Sequence, residues 1–353
     1  MKVAPVLRAL SLRRTVDQKL IHTGQHYDLN MSDVFFRELE IPAPDINLAV
    51  GSGTHATQTS EIMTRIEPVL AEARPDLVLV YGDVNSTLST ALVCAKLGIK
   101  LGHVEAGLRS FDRAMPEEIN RLVTDQLSDF LFTPSEDGDA NLIREGIGPD
   151  KIFRVGNVMI DSLIRLLPLA ATRVKGDVPE RYALVTLHRP VNVDDPAALR
   201  EILQSLTELS RGLAMIFPVH PRTRERVAAC NVSVAGIRLL DPLPYIDFLG
   251  LQSRATLVIT DSGGIQEEST YLGIPCITLR ENTERPVTIS KGTNVLVGRD
   301  RDRLRAEVAK VLKGDKKRVT VPPLWDGQAG ERIAAVLTDP RMIQMPPAPS
   351  CCA

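Results

Sequence analysis

Short apolar runs alternate with longer amphipathic stretches along most of the chain. The short runs are rich in β-branched residues and predict strands, whereas the longer stretches repeat apolar residues at helical spacing. This alternation is typical of βαβ units, so it predicts an α/β fold with parallel sheets. Strands are expected at 19–22, 77–81, 100–104, 130–133, 152–155, 183–187, 214–219, 237–240, 256–260, 276–279 and 294–297. The clearest helices are expected at 57–73, 86–97, 116–127, 197–211 and 264–271.

The length of 353 residues predicts two domains, because it exceeds what one hydrophobic core normally supports. The sequence changes character between Gly156 and Pro179, which indicates a boundary there. We therefore expect two Rossmann-like doubly wound domains, at 1–160 and 161–330. The tail at 339–353 is rich in proline and methionine, and we expect it to be disordered.

The first predicted element is a helix, with Pro5 placed in its opening turn. A doubly wound domain normally begins with a strand that becomes the middle of its sheet. The pattern therefore predicts that the first strand of the N-terminal domain is missing. Such a loss would expose sheet edges and lower the stability and activity of the chain.

Composition and charge exclude several classes of protein. With 44% hydrophobic and 24% charged residues, the chain is typical of soluble globular proteins. Its 42 basic and 44 acidic residues form no dense basic block, so we expect no nucleic acid partner. No apolar run approaches the roughly 20 residues of a membrane span and no signal core is present, so a cytoplasmic protein without a membrane partner is expected. The five cysteines show no zinc spacing, which predicts reduced thiols and no metal.

Ionisable residues follow several of the predicted strands. In an open parallel sheet, ligands bind beyond the carboxyl ends of the strands, so these residues predict a polar cleft between the domains. Taken singly, Asp83 and Asp261 have a simpler explanation as caps of the following helices. His103 lies inside an apolar run and is more simply a hydrogen-bonded core residue than a catalyst. The residues after the strands are Asp83, Glu105, His188, Arg189, His220, Asp261, Ser262, Arg280 and Glu281.

The segment 261–268 is more specific, because a strand, two glycines and a helix follow one another. The backbone N–H groups at Gly263 and Gly264 and the positive end of the helix suit a diphosphate. Glu268, one turn further on, could accept hydrogen bonds from ribose hydroxyls. A plain tight turn capped by Ser262 is the alternative. Three charged residues after the next strand could close over phosphate or form an ordinary surface ion pair, namely Arg280, Glu284 and Arg285.

A second acidic group lies at the start of the helix that Pro116 opens. Glu117 and Glu118 occupy its first turn, where the helix dipole alone favours them, and that explanation suffices for Glu118. Glu117 differs because Asp83 and Glu105 are expected nearby. Several carboxylates around one pocket raise one another's proton affinity and can perform acid–base chemistry near neutral pH.

Six motifs follow one another between residues 81 and 286. They are Tyr-Gly-Asp (81–83), His-Val-Glu-Ala-Gly-Leu-Arg (103–109), Pro-Glu-Glu-Ile-Asn-Arg (116–121), Leu-His-Arg-Pro (187–190), Asp-Ser-Gly-Gly-Ile-Gln-Glu-Glu (261–268) and Thr-Glu-Arg-Pro (283–286). In content, order and spacing they resemble the signature blocks of the non-hydrolysing UDP-N-acetylglucosamine 2-epimerase family.

The resemblance implies two Rossmann-like domains facing a cleft in the glycosyltransferase-B arrangement, with a C-terminal helix at 331–338 crossing back to the first domain. It implies reversible epimerisation of UDP-N-acetylglucosamine (UDP-GlcNAc) to UDP-N-acetylmannosamine (UDP-ManNAc) by elimination of UDP, through 2-acetamidoglucal, and re-addition. It also implies a homodimer, no cofactor and no catalytic metal, and the supply of ManNAc for surface polysaccharide.

The motif positions also imply individual roles. Asp83, Glu105 and Glu117 are assigned to proton transfer and His188 to the departure of UDP, while the choice of C2 base stays open. The substrate-binding residues implied are Lys2, His220, Ser262, Gly263, Gly264, Glu268 and Arg285.

The chain departs from the family pattern in three places. The family begins with a strand and Gly-Thr-Arg-Pro, whereas this sequence begins at Met1, just beyond that point. Val191 and Val287 stand where many members have glutamate. The segment 24–28 differs from that of members regulated by UDP-GlcNAc, which puts allosteric activation in doubt.

Three other functions stay open from the sequence. They are a hydrolysing relative that releases free ManNAc, a glycosyltransferase with the same fold, and a nucleotide-sugar-binding protein without turnover. The three carboxylates favour an epimerase over a transferase.

Overall fold

The computed structural model describes residues 1–25, 36–173, 178–315, 317 and 319–343. The chain forms two compact units: the first contains Met1–Ser162 and the chain from Pro323 onward, and the second contains Leu163–Pro322. The second unit thus ends at Pro322, whereas the sequence-based boundary lies at residue 330. Part of the segment 24–28, part of the expected linker and most of the expected tail lie outside the described residues.

The first unit is built on a parallel sheet of four strands in the order β3-β4-β5-β6. A separate parallel pair, β1-β2, contains only two residues in each strand, and β2 was not predicted. Two residues are too few for a hydrophobic pattern to show. The strands of this unit are β1 Ile21–His22, β2 Ile46–Asn47, β3 Leu77–Tyr81, β4 Lys100–Val104, β5 Phe130–Thr133 and β6 Ile152–Arg154.

Helices surround these strands, and their ends follow local sequence signals. Thr54 caps α2 through its side chain, which accepts from the N–H of Thr57, and Gly98 ends α3 in the left-handed conformation. Pro116 begins α4, as predicted. The described chain begins with a helix that contains Pro5; the absence of a leading strand stays a prediction. The helices are α1 Val3–Ser11, α2 His55–Ala73, α3 Asn85–Leu97, α4 Pro116–Leu127, α5 Glu136–Arg144 and α6 Val158–Arg173.

The second unit contains a parallel sheet of six strands in the order β9-β8-β7-β10-β11-β12. The chain moves outward from β7 to β9, returns, and moves outward in the opposite direction from β10. This is the doubly wound order, and the strand order reverses between β7 and β10. The predicted α/β fold with parallel sheets is confirmed. The strands are β7 Tyr182–Thr186, β8 Ala214–Pro218, β9 Ile237–Leu240, β10 Leu257–Thr260, β11 Cys276–Thr278 and β12 Asn294–Leu296.

The helices of this unit cover both faces of an apolar sheet. Leu184 and Val185 are consecutive residues of β7, point to opposite faces of the sheet and are both fully buried, as expected for a strand covered on both faces. Across the described part of the chain, every helix is too short or too polar to cross a lipid bilayer. The helices are α7 Pro190–Val193, α8 Pro196–Leu209, α9 Pro221–Ala229, α10 Tyr245–Arg254, α11 Gly263–Leu272, α12 Val287–Ser290 and α13 Arg301–Leu312.

After the second unit the chain returns to the first and ends in two helices, α14 Ala329–Leu337 and α15 Pro340–Ile343. The α14 helix packs against α1. Asp161 accepts hydrogen bonds from the N–H groups of Ala329 (3.2 Å) and Gly330 (2.8 Å), so it satisfies the start of α14. Trp325 Nε1 donates to the Pro134 carbonyl at 3.0 Å and fixes the preceding loop.

We expect Gly330→Ala to destabilise the first unit, because α14 and α1 approach closely at this position. An added Cβ would lie 2.7 Å from the carbonyl oxygen of Pro5, and backbone atoms cannot move aside cheaply. Overpacking of this kind costs about 1–3 kcal/mol. Urea denaturation of the variant, compared with wild type, measures the loss.

Gly53→Ala is the matched control, because an added Cβ there makes ordinary contacts with side-chain atoms of Thr57 (3.5 Å) and Gln58 (3.7 Å). Alanine usually stabilises a helix relative to glycine, so without the close contact Gly330→Ala should stabilise α14. A Gly330→Ala protein more stable than wild type would therefore contradict the close contact between α14 and α1.

Candidate active site

Two strand ends meet at the switch point of the second unit. His188 and Arg189 follow β7, and Asp261 and Ser262 follow β10, which is paired directly with β7. In open α/β sheets, the crevice at this point is where ligands bind. The topology therefore brings together residues more than seventy positions apart in sequence.

The carboxylate of Asp261 holds the loop after β7. It is fully buried and accepts hydrogen bonds from the backbone N–H groups of His188 (3.1 Å) and Arg189 (3.0 Å) and from Asn192 Nδ2 (3.0 Å). Burial raises the pKa of Asp261, but the hydrogen bonds and the neighbouring His188 outweigh it and keep the pKa below its usual value. The simpler explanation, in which Asp261 caps the next helix, is wrong, because the N-cap of α11 is Ser262.

The same carboxylate orients the ring of His188. Nδ1 of His188 lies 2.9 Å from Asp261 Oδ1, while the side chain is 62% exposed. Because a carboxylate accepts, Nδ1 carries the proton and Nε2 is left for a ligand. This arrangement can donate or accept a proton at Nε2. Sequence reasoning identified His188 and missed this role of Asp261.

The start of α11 lies against a buried group of charges. An added Cβ at Gly263 would approach Arg285 Nη1 and lie 2.6 Å from Glu284 Oε1, so a side chain here would displace these charged groups. Gly264 is the second residue of the helix. The structure thus brings Arg285 to the start of α11, as the motifs imply.

These charges are paired among themselves. Arg285 Nε lies 2.9 Å from Glu267 Oε1, and Arg280 Nη2 lies 2.7 Å from Glu284 Oε2. Burial opposes the ionisation of Glu284, but the two arginines lower its pKa far below the usual value. Arg280, Glu284 and Arg285 are each at most 6% exposed, so the surface ion pair considered above is a buried network.

Glu268 is buried one turn into α11. Its Oε1 accepts a hydrogen bond of 2.8 Å from the hydroxyl of Tyr245, and within the described ranges its Oε2 has no hydrogen-bond partner. Burial and the charge of Glu267 raise the pKa of Glu268 to about 7, while hydrogen bonds from Tyr245 and Gln252 oppose the shift. Tyr245 was not predicted, because nothing in its local pattern marks it.

His220 occupies a different place from the other candidates of this unit. It follows β8, one strand away from the switch point, and its side chain is exposed. Nδ1 accepts a hydrogen bond from the N–H of Arg222 at 3.4 Å, so the ring caps α9. The structure gives it this local role, and its part in substrate binding stays a prediction.

In the first unit, Lys2 and Glu105 form an ion pair over Gly82. Lys2 occupies the N-cap position of α1, and Glu105, 6% exposed, follows β4 in a left-handed conformation with φ of 77°. An added Cβ at Gly82 would lie 2.6 Å from Lys2 Nζ and 3.3 Å from Glu105 Oε2. A positive φ in a residue with a side chain is strained, and such strain concentrates at functional sites.

Asp83 follows β3 and pairs with Arg121 of α4. Asn120, also on α4, donates to the Asp83 carbonyl at 2.8 Å. Glu117 lies in the first turn of the same helix, is half-buried, and within the described residues makes no side-chain hydrogen bond or ion pair. The three predicted carboxylates thus lie at the carboxyl end of one sheet or on the helix bound to it.

Glu118 does more than favour the helix dipole, so the explanation by the dipole alone is wrong. Its carboxylate accepts from the N–H (3.0 Å) and hydroxyl (3.0 Å) of Ser110 and from the N–H of Phe111 (2.9 Å). Burial raises the pKa of Glu118, but these hydrogen bonds and the charge of Arg121 outweigh it and lower the pKa.

The prediction that His103 is a hydrogen-bonded core residue is confirmed. The ring is fully buried, with Nδ1 2.6 Å from Asp125 Oδ1 and Nε2 2.9 Å from the Gly82 carbonyl. Arg109 Nη2 lies 2.7 Å from the second oxygen of Asp125. Burial opposes the ionisation of Asp125, but His103 and Arg109 outweigh it and lower its pKa. Both ring nitrogens are occupied, so His103 supports the Gly82 turn.

Comparison with known proteins agrees with this geometry. A sequence model of the UDP-N-acetylglucosamine 2-epimerase family matches residues 8–338. The chain belongs to this family. The epimerase is therefore an enzyme of the isomerase class, as the motifs implied.

Relatives of the epimerase cover nearly its whole length. It is 45% identical over 351 residues to UDP-N-acetylglucosamine 2-epimerase of Methanocaldococcus jannaschii, which covers 96% of this chain and 95% of the relative. It is 40% identical over 343 residues to UDP-2,3-diacetamido-2,3-dideoxy-D-glucuronate 2-epimerase of Pseudomonas aeruginosa, with 95% of each chain covered. The solved structure of the Methanocaldococcus jannaschii enzyme in complex with UDP-GlcNAc and UDP superposes with a TM-score of 0.88, at 45% identity and with 96% of each chain covered.

Proposed function

We propose that the epimerase interconverts UDP-GlcNAc and UDP-ManNAc without releasing free sugar. The observation that carries this proposal is the acidic set of the first unit. Asp83 and Glu105 are held by cations, while Glu117 has no partner among the described residues. Inversion at C2 requires removal of a proton and its return to the other face, and carboxylates perform such transfers.

The second unit is proposed to bind the nucleotide. The N–H groups at the start of α11 and the helix dipole suit the diphosphate, with Ser262, Gly263 and Gly264 around it. Arg285 lies against this helix start, and the buried Glu268 is assigned to the ribose hydroxyls. His220 is assigned to the same ligand from the adjacent strand β8.

The proposed reaction is an elimination followed by an addition. A carboxylate of the first unit takes the C2 proton, the C1–O bond breaks, and its electron pair leaves with UDP, giving 2-acetamidoglucal. His188, held by Asp261, protonates or hydrogen-bonds the departing diphosphate through Nε2. Re-addition of UDP at C1 and of a proton to the opposite face of C2 completes the inversion.

A second substrate is favoured by one comparison. The Pseudomonas aeruginosa relative, 40% identical, acts on a UDP-linked diacetamido glucuronate. That sugar also carries an acetamido group and an exchangeable proton at C2, so the same residues can act on it. Its additional carboxylate and acetamido group require space and polar partners that UDP-GlcNAc does not.

Proton NMR in deuterated water tests the proposal. UDP-ManNAc that carries deuterium at C2, formed from UDP-GlcNAc, is the expected result. Free ManNAc would indicate a hydrolysing enzyme, and turnover of the diacetamido glucuronate alone would indicate the second substrate. Uridine binding without turnover of either sugar would favour a binding protein or a transferase.

We expect the affinity for uridine to increase about tenfold between pH 6 and pH 8. The pKa of Glu268 is raised from 4.5 to about 7, so it is mostly protonated at pH 6. Ribose hydroxyls donate to the ionised carboxylate, so binding below pH 7 must first remove a proton. The same shift lowers folding stability as pH rises from about 4.5 to about 7, because the buried charge is unfavourable.

Uridine is the probe because it lacks the phosphate groups that also titrate in this range. Calorimetry at several pH values should show proton release at pH 6, and Glu268→Gln should flatten the dependence. Glu225→Gln, at an exposed position of α9, is the control. An unchanged pH dependence in Glu268→Gln would rule out this assignment of Glu268.

A further inference from the structure

One buried guanidinium ties together three segments of the first unit. Arg121, on α4, is 2% exposed. Its Nη1 pairs with Asp83 Oδ2, and its Nη2 and Nε lie 2.6 Å and 3.1 Å from Glu118 Oε2. The guanidinium is therefore bound on both sides and has little freedom to rotate.

Glu118 fixes this guanidinium to the loop that follows β4. Its two oxygens accept from the N–H groups of Ser110 and Phe111 at 3.0 Å and 2.9 Å. Phe111 adopts a φ of 59°, which is unfavourable for an aromatic residue, so this turn depends on being held. Any shift of Glu118 would move both the loop and Arg121.

Asp83 is held in a way that leaves its carboxylate accessible. Its main-chain carbonyl accepts from Asn120 Nδ2 at 2.8 Å, and one carboxylate oxygen pairs with Arg121. The side chain of Asp83 is nevertheless 24% exposed. A ligand can therefore reach this group, whereas Arg121 itself is enclosed.

A buried ion pair seldom adds net stability, because desolvation of both charges offsets their attraction. Arg121 thus needs another explanation, and its contacts supply one. We propose that Arg121 is a positioning residue that fixes the orientation and negative charge of Asp83 for proton transfer at C2, without touching the substrate. This inference rests on the proposed function.

Kinetics of Arg121→Lys and Arg121→Ala with UDP-GlcNAc test the proposal. We expect kcat to fall about tenfold in Arg121→Lys and about a hundredfold in Arg121→Ala, because a compact ammonium cannot reproduce the planar contacts of the guanidinium and misplaced groups lose rate steeply. KM should change less than about threefold, because no substrate contact is removed. Added guanidinium should restore part of the kcat of Arg121→Ala but none of that of Asp83→Asn.

Arg154→Ala is the control, since Arg154 pairs with Asp139 and its side chain is 38% exposed. A folded Arg121→Ala protein with wild-type kcat, or with a loss confined to KM, would overturn the proposal. So would loss of folding in both Arg121 variants, which would make Arg121 a residue needed only for folding. Wild-type protein inactive on UDP-GlcNAc would instead reject the proposed function itself.

Discussion

Asp261→Asn is expected to lower kcat by about 10²- to 10⁴-fold: general acid–base catalysis contributes this range, and a wrong histidine tautomer elsewhere costs its upper limit. The asparagine amide cannot accept from Nδ1 of His188 while also serving the backbone N–H groups that Asp261 now satisfies. His188 would then lose the tautomer that leaves Nε2 for the departing diphosphate. Steady-state kinetics measure the loss, and ¹⁵N NMR of the imidazole reports the tautomer directly.

Uridine binding by the variant distinguishes a loss of histidine orientation from a general loss of structure. Asp261→Asn should retain uridine binding, because Glu268 and Tyr245 are not its partners. Asp241→Asn is the matched control: Asp241 is 91% exposed and pairs with Arg224. Near wild-type kcat together with an unchanged His188 tautomer would show that Asp261 only secures the loop after β7.

Glu105→Gln is expected to reduce kcat by about 10²- to 10⁴-fold, the contribution typical of positioned acid–base groups. Glutamine keeps the shape that the strained backbone at Glu105 and the crowded Gly82 require. It removes the negative charge, so the ion pair between Lys2 and Glu105 is lost. Turnover and the exchange of the C2 proton in deuterated water should fall together.

Turnover and C2 proton exchange, measured on the same variant, distinguish a role of Glu105 in the reaction from a purely structural role. A variant that still exchanges the C2 proton but forms no product would place Glu105 in the UDP-leaving step. A variant with unchanged kcat would show that the Lys2–Glu105 pair only anchors α1. Glu67→Gln, at an exposed position of α2, should behave as wild type.

The strands of both sheets were predicted well, because most of their residues are apolar and form short runs between polar segments. β3, β4 and β5 were predicted to the residue, and the strands of the second unit to within about two positions. Strand β2 was not predicted. The return of the chain to the first unit at Pro323 was expected only after residue 330. The return depends on single contacts, such as the hydrogen bond from Trp325 to Pro134, that leave no periodic pattern.

In the candidate site, the residues at strand ends were predicted from the sequence, whereas their hydrogen-bond and ion-pair partners were not. Residues at strand ends could be identified, because the ends of parallel strands meet at one edge. The partners of these residues could not, because they depend on which strands are neighbours. Asp261 meets His188 only because β10 pairs with β7, and Arg121 meets Asp83 only because α4 lies beside the loop that follows β3.

The pairing of charges beside α11 also bears on how the epimerase responds to ionic strength. Arg280 and Arg285 are already bound by Glu284 and Glu267, so the proposed diphosphate site carries little uncompensated positive charge. The diphosphate would then be attracted mainly by the backbone N–H groups of α11. These act at short range, where mobile ions screen the attraction only weakly. Binding at such a site should therefore depend weakly on salt, and in the proposed reaction UDP could leave C1 and return to it without first breaking a strong long-range attraction.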